Sequence, residues 1–132
     1  HDLDQALSLR DSLGSLGDCY LPRGYITEKE IGQYLKSADY YLGRSGAHIT
    51  YELLLLQVKS VLLPLSSTHQ SEQYKNAEEL VKTKLAVIIN QHDLTLKNLL
   101  DAFTQIKKLK PQKTNLSIDA TEKVYHDIAS LL

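Results

Sequence analysis

Residues 47–65 read AHITYELLLLQVKSVLLPL, with four leucines in a row. A stretch this apolar must be hidden, and the way it is hidden restricts every other element. A membrane span needs ~20 apolar residues, and only roughly 16 precede Pro64. Glu52 and Lys59 inside the stretch would also be costly in lipid. A single strand of that length is unusual, since strands run about 5–6 residues. Read as a helix at 100° per residue, His48, Glu52 and Lys59 share one narrow polar stripe with Ser60 beside it. Leu53, Leu54, Val58, Val61 and Leu62 cover the opposite side. A helix apolar over most of its circumference is a buried one, so the pattern predicts a central helix over 47–63.

The flanking segments repeat apolar residues at spacings of three and four. Leu3, Ala6, Leu7, Leu13 and Leu16 predict a helix over 3–16, and 17–26 reads as a loop. Thr27-Glu28-Lys29-Glu30 has the form of a capping box, in which threonine and glutamate satisfy each other's orphan N–H groups. It opens a second helix carrying Ile31, Tyr34, Leu35, Ala38 and Leu42, closed by the GRSG break at 43–46. Residues 72–91 continue with Tyr74, Ala77, Val81, Leu85 and Ile88. Asp93 is the expected N-cap of a helix with Leu96, Leu99, Leu100, Phe103 and Ile106. Lys107, Lys108 and Lys110 suit its C-terminal dipole, and Pro111 closes it. Ser117 is the expected cap of a last helix with Ile118, Val124, Tyr125, Ile128 and Leu131. The expected fold is all-α: one helical domain over 1–132, an antiparallel bundle of about six helices around the 47–63 helix.

Composition narrows function without naming it. The 132 residues carry a net charge of −1. Strong non-specific binding to nucleic acid or anionic lipid needs a basic excess, so neither is expected. Cys19 stands alone and can form no internal disulfide. The chain opens His1-Asp2-Leu3-Asp4 with no methionine, which suggests trimming or processing. The compartment stays open between the cytoplasm and a processed extracytoplasmic location.

Three His-Asp pairs occur: His1-Asp2, His92-Asp93 and His126-Asp127. With His69 upstream, His92-Asp93 resembles the metal-binding pair of HD-type phosphohydrolases, which hold a water-activating metal between imidazole and carboxylate. Here Leu-Thr-Leu follows the pair instead of the small and basic residues usual there. His48 and Glu52, four apart, supply only two metal ligands. Arg44 and His48 resemble the arginine–histidine motif of HEPN-type ribonucleases, with a shorter gap. Lys107, Lys108, Lys110 and Lys113 offer a basic patch without stacking aromatics.

Six of the eight tyrosines fall between residues 20 and 51. Helical geometry puts Tyr40 on the outside of the second helix, near Lys29 and Lys36. The leading expectation is therefore a non-enzymatic module binding another protein through Arg23, Tyr25, Lys29, Lys36 and Tyr40. Self-association through Leu55, Leu56 and Leu63 is a variant. No catalytic residue, metal or cofactor is assigned. The alternatives are an HD-like hydrolase using His69, His92 and Asp93, and weak nucleic-acid binding through the lysines.

Overall fold

The computed structural model describes residues 2–65 and 70–112. It divides into two compact units, His1–Tyr34 and Leu35–Leu132.

The first unit holds helix α1 (Asp2–Ser12), a 3-10 turn (Gly14–Cys19) and the start of helix α2 (Glu28–Ser37). Half of the capping box forms: Glu30 reaches back to the Thr27 N–H, but the Glu30 N–H donates to the Thr27 carbonyl and not to its hydroxyl. The N–H of Thr27 donates to Glu30 Oε2 at 2.9 Å, and its hydroxyl donates to the same oxygen at 2.6 Å. Gly17 is buried, and a Cβ there would run into the carbonyl oxygen of Arg10.

The second unit overturns the all-α expectation. Among the described residues its sheet has three parallel strands in the order β1-β2-β3: β1 (Tyr40–Gly43), β2 (Lys59–Leu62) and β3 (Ala86–Ile88). Helix α3 (Ala47–Leu56) joins β1 to β2, α4 (Gln70–Lys82) joins β2 to β3, and α5 (Leu96–Lys108) follows β3. This is an α/β fold, not an antiparallel bundle. No helix among the described residues is long and apolar enough to cross a membrane.

The predicted 47–63 helix is in fact a helix, a turn and a strand. Gln57 adopts a left-handed conformation (φ 58°, ψ 35°), which stops α3. The N–H of Val58 then donates to Leu53 O at 3.0 Å and that of Gln57 to Leu54 O at 3.4 Å. That is the Schellman pattern, and its apolar pair, Val58 and Leu53, is buried. The end of α4 repeats the device. Lys84 has φ 60°, Leu85 N–H donates to Leu80 O at 3.0 Å, and Leu80 and Leu85 are fully buried. Each helix is thus folded back into a strand by a residue that is not glycine. His48 and Glu52 remain on α3, whereas Lys59 and Ser60 pass to β2.

Side chains alternate across a strand, so β2 serves two cores. Val61 joins Ile89, Ala102 and Ile106 under α5, with Tyr40, Leu63, Val87, Leu99 and Phe103 packed around them. Leu62 points the opposite way and is fully buried. α4 packs against both α3 and β3. A strand buried on both faces reads as a continuous apolar run rather than an alternating one. That is why VLLPL and AVII look helical in sequence.

Two further caps differ from expectation. Thr95, not Asp93, caps α5, accepting from Asn98 N at 3.1 Å. Lys59 Nζ donates to Lys107 O at 3.0 Å, closing the far end of the same helix. The helix expected from Ser117 lies outside the described residues.

Candidate functional site

Parallel strands bring all their carboxyl ends to one edge, and ligands of open α/β sheets bind in the crevice there. Three connections meet at this edge: Arg44–Gly46 before α3, the residues after Leu62, and Asn90–Thr95 before α5.

The first connection is the most constrained. Gly43 lies against the Tyr41 ring, where a Cβ would collide with the phenol oxygen. The Tyr41 hydroxyl donates to Arg44 O at 3.1 Å, and burial pushes the Tyr41 pKa up. Ser45 is fully buried and donates from Oγ to Gln73 O at 2.9 Å. Asn76 Nδ2 donates back to Ser45 O at 3.3 Å. Gln73 Oε1 accepts from Leu65 N–H at 3.0 Å. The start of α4 is thereby clipped to the first two connections.

Arg44 spans the edge. Its Nη1 donates to Leu63 O at 2.8 Å and to Gln91 Oε1 at 3.2 Å, reaching the ends of both other strands. Gly46 then starts α3 in an extended conformation (φ −64°, ψ 156°) with no side-chain cap. The first N–H groups of a helix have no intrahelical partner. Those of Ala47, His48 and Ile49 form the positive dipole end of α3, and Gly46 has no side chain to cap them, a geometry suited to an anion. Thr50, buried one turn along, has a hydroxyl oxygen without a hydrogen-bond partner among the described residues.

At the end of β3, the Tyr74 hydroxyl donates to Asn90 Oδ1. Asn90 Nδ2 donates to Asp93 Oδ2 at 3.0 Å, and Asn98 Nδ2 to Asp93 O at 2.7 Å. A cleft of about 300 Å³ lies beside them, lined by Asn90, Asp93, Asn98, Asp101 and Gln105 and by the apolar Val87, Ile88, Ile89 and Ala102.

The residues singled out from sequence are scattered. Arg23, Tyr25 and Lys29 are exposed in the first unit, Tyr25 at 92%. Lys36 is exposed near the end of α2. Tyr40 is not on α2 at all: it opens β1, half-buried, with its ring edge-on to Phe103 at 5.9 Å. Leu55 and Leu63 are half-buried and Leu56 is exposed. His92 Nε2 sits 3.4 Å from Asp93 Oδ2 on an exposed turn. Among the described residues, no three His, Cys, Asp or Glu side chains gather as metal ligands. His69 and Lys113 lie outside the described residues. Ser45, Gln73, Asn76 and Gln91 were missed in the sequence. The available signal was GRSG, a glycine-flanked connection, which gains meaning only once YYL before it is read as a strand.

Comparison with known proteins gives this edge its context. The model of the glycosyltransferase family 28 C-terminal domain matches residues 22–132. The chain is 30% identical over 111 residues to a UDP-N-acetylglucosamine--N-acetylmuramyl-(pentapeptide) pyrophosphoryl-undecaprenol N-acetylglucosamine transferase of Clostridium kluyveri, covering 80% of this chain and 31% of the relative. Proteins of the same name from Thermosipho melanesiensis (34% over 73 residues, 55% of this chain and 22% of the relative) and Prochlorococcus marinus strain NATL2A (33% over 91 residues, 67% and 26%) are also similar. The chain thus spans less than a third of the length of these curated relatives. No solved structure matches. These findings overturn the expectation of a non-enzymatic module and its HD-like and nucleic-acid alternatives.

Proposed function

The chain belongs to the glycosyltransferase family 28 C-terminal domain family, and on that premise we propose that it supplies the donor-binding part of an enzyme using a UDP-sugar. The single observation that carries the reading is the start of α3, without a side-chain cap, at the carboxyl edge of a parallel sheet, three residues beyond Arg44. A nucleotide diphosphate fits such a helix end because its charge meets oriented N–H groups. The names of the similar proteins specify UDP-N-acetylglucosamine as their donor.

In glycosyl transfer, an acceptor hydroxyl oxygen bonds to the anomeric carbon and releases its proton. The bond from that carbon to the diphosphate oxygen breaks, and UDP departs with the electron pair. Negative charge therefore grows on the diphosphate in the transition state. Fixed N–H donors aimed at it stabilise that state more than the ground state, which accelerates the reaction. The N–H groups of Ala47, His48 and Ile49 take this role, and the clips through Ser45, Gln73 and Asn76 hold them in place.

Titration of the full chain with UDP, followed by amide NMR shifts, tests the reading. The largest shifts are expected at Ala47–Ile49, with weaker ones from uridine, which lacks the diphosphate. Unmoved amides there at millimolar UDP would sink it.

A further inference from the structure

We infer that Arg44 is a positioning residue for the donor, acting through Gln91, so that the β3–α5 connection takes part in nucleotide binding without touching it. This rests on the donor-binding reading above. An arginine beside an anion site is ordinarily read as a charge for the anion. Here the Arg44 contacts point elsewhere. Its Nη1 is shared between a backbone carbonyl and an amide oxygen, at 2.8 and 3.2 Å, both uncharged. Those acceptors lie 19 and 47 residues away in sequence. Its own carbonyl is held by the Tyr41 hydroxyl at 3.1 Å. The residue is therefore fixed at main chain and side chain, and it joins the ends of all three strands.

Asp93, the carboxylate two positions beyond Gln91, does not compete for this guanidinium. It accepts from Asn90 at 3.0 Å and lies 3.4 Å from His92. Asn90 is in turn held by the Tyr74 hydroxyl on α4. A chain of contacts thus runs from α4 through Asn90, then through its chain neighbour Gln91 to Arg44, and ends three residues before the first of the α3 N–H groups. Both bonds leave the same nitrogen, Nη1, and a lysine ammonium, one bond nearer the main chain, falls short of that position. The geometry asks for the reach of arginine.

The test measures UDP affinity of the full chain as wild type, Arg44→Gln, Arg44→Lys, Gln91→Ala and the Arg44→Gln/Gln91→Ala double variant, with a thermal melt of each. Positioning predicts about fivefold weaker UDP binding for Arg44→Gln, with Gln91→Ala sharing part of that loss and the double variant no weaker than Arg44→Gln alone. Arg44→Lys should be as weak as Arg44→Gln, and the loss ratio should be the same at low and high salt. Restoration by lysine, additive losses, or a neutral Gln91→Ala would overturn the inference while leaving donor binding standing. Failure of the wild type to bind UDP would instead remove the donor reading and this inference together. Gln91 is an exposed residue, so its variant keeps the test decisive if Arg44 variants melt early.

Discussion

Residues 2–34 and residues 35–112 contain similar side chains but use them differently. α1 buries none of its residues, and Leu3, Leu9, Leu13 and Leu16 are all exposed. In the second unit Leu53, Leu62, Leu80, Leu85 and Ile106 are fully buried. The reach of the contacts explains the contrast. Hydrogen bonds of Arg10, Ser12, Thr27 and Glu30 span one to three residues. Those of Arg44, Ser45, Asn76 and Lys59 span 19 to 48. Local bonds can define a helix without hiding its leucines; burial on two faces requires strands brought together from distant sequence. The candidate site lies where those distant connections meet.

The largest expected effect tests this contrast directly. Leu80→Ala removes a fully buried side chain at the turn from α4 into β3. It should cost about 2–5 kcal/mol, a large share of the stability of a domain this size. Leu16→Ala removes a side chain that is 66% exposed and should stay within about 0.5 kcal/mol. Urea unfolding of both variants checks the pair, and equal losses would abolish the distinction between the units.

The sequence was informative where an element has one wet face. α5 shows its stripe plainly, because Ala102 and Ile106 are buried while Lys97, Asp101 and Lys108 are exposed. The Thr27–Glu30 box was equally plain, because its bonds are local. β2 and β3 were hidden because a strand covered on both faces has no alternation to detect, and periodicity cannot separate it from buried helix. The helix ends were hidden too. A Schellman turn is announced by glycine, and here Gln57 and Lys84 occupy the left-handed position. With both strands unread, β1 became the tail of a helix and Tyr40 was placed outward. The site followed the same logic: Arg44, Ser45 and Gln91 have no meaning until three strand ends share one edge.

Those two left-handed residues give the next smaller effect and sharpen what holds the second unit together. A non-glycine residue at φ near +60° carries a steric cost that glycine avoids. Gln57→Gly and Lys84→Gly should each stabilise the chain by about 0.5–1 kcal/mol. Glycine's added freedom in the unfolded chain offsets part of the gain. Gln57 also donates from Nε2 to Leu54 O at 2.8 Å, a bond that glycine loses. The gain should therefore be smaller at 57 than at 84. Paired thermal melts read the order, and destabilisation at Lys84 would mean that its side chain, not its backbone, sustains the turn.

The smallest effect belongs to the first unit and separates the two by pH. The Thr27 hydroxyl, and after it the Thr27 N–H, hold the Glu30 carboxyl below its ordinary value of 4.5. A depressed folded pKa means that the contribution is complete above the ordinary value. It is lost as pH falls through the lower, folded one. Acid should therefore loosen the start of α2, read as faster amide exchange at Glu30 and Ile31, whose N–H groups donate to Thr27 O. The core of Val61, Ile89, Ala102 and Ile106 has no group that titrates in that range, so amides of β2 should stay protected while α2 frays. Glu30→Gln can still accept from Thr27, but without the charge. It should fray slightly at neutral pH and lose the acid dependence. If the dependence survives in Glu30→Gln, another carboxylate governs the start of α2. If β2 opens at the same pH as α2, the two units respond to acid as one.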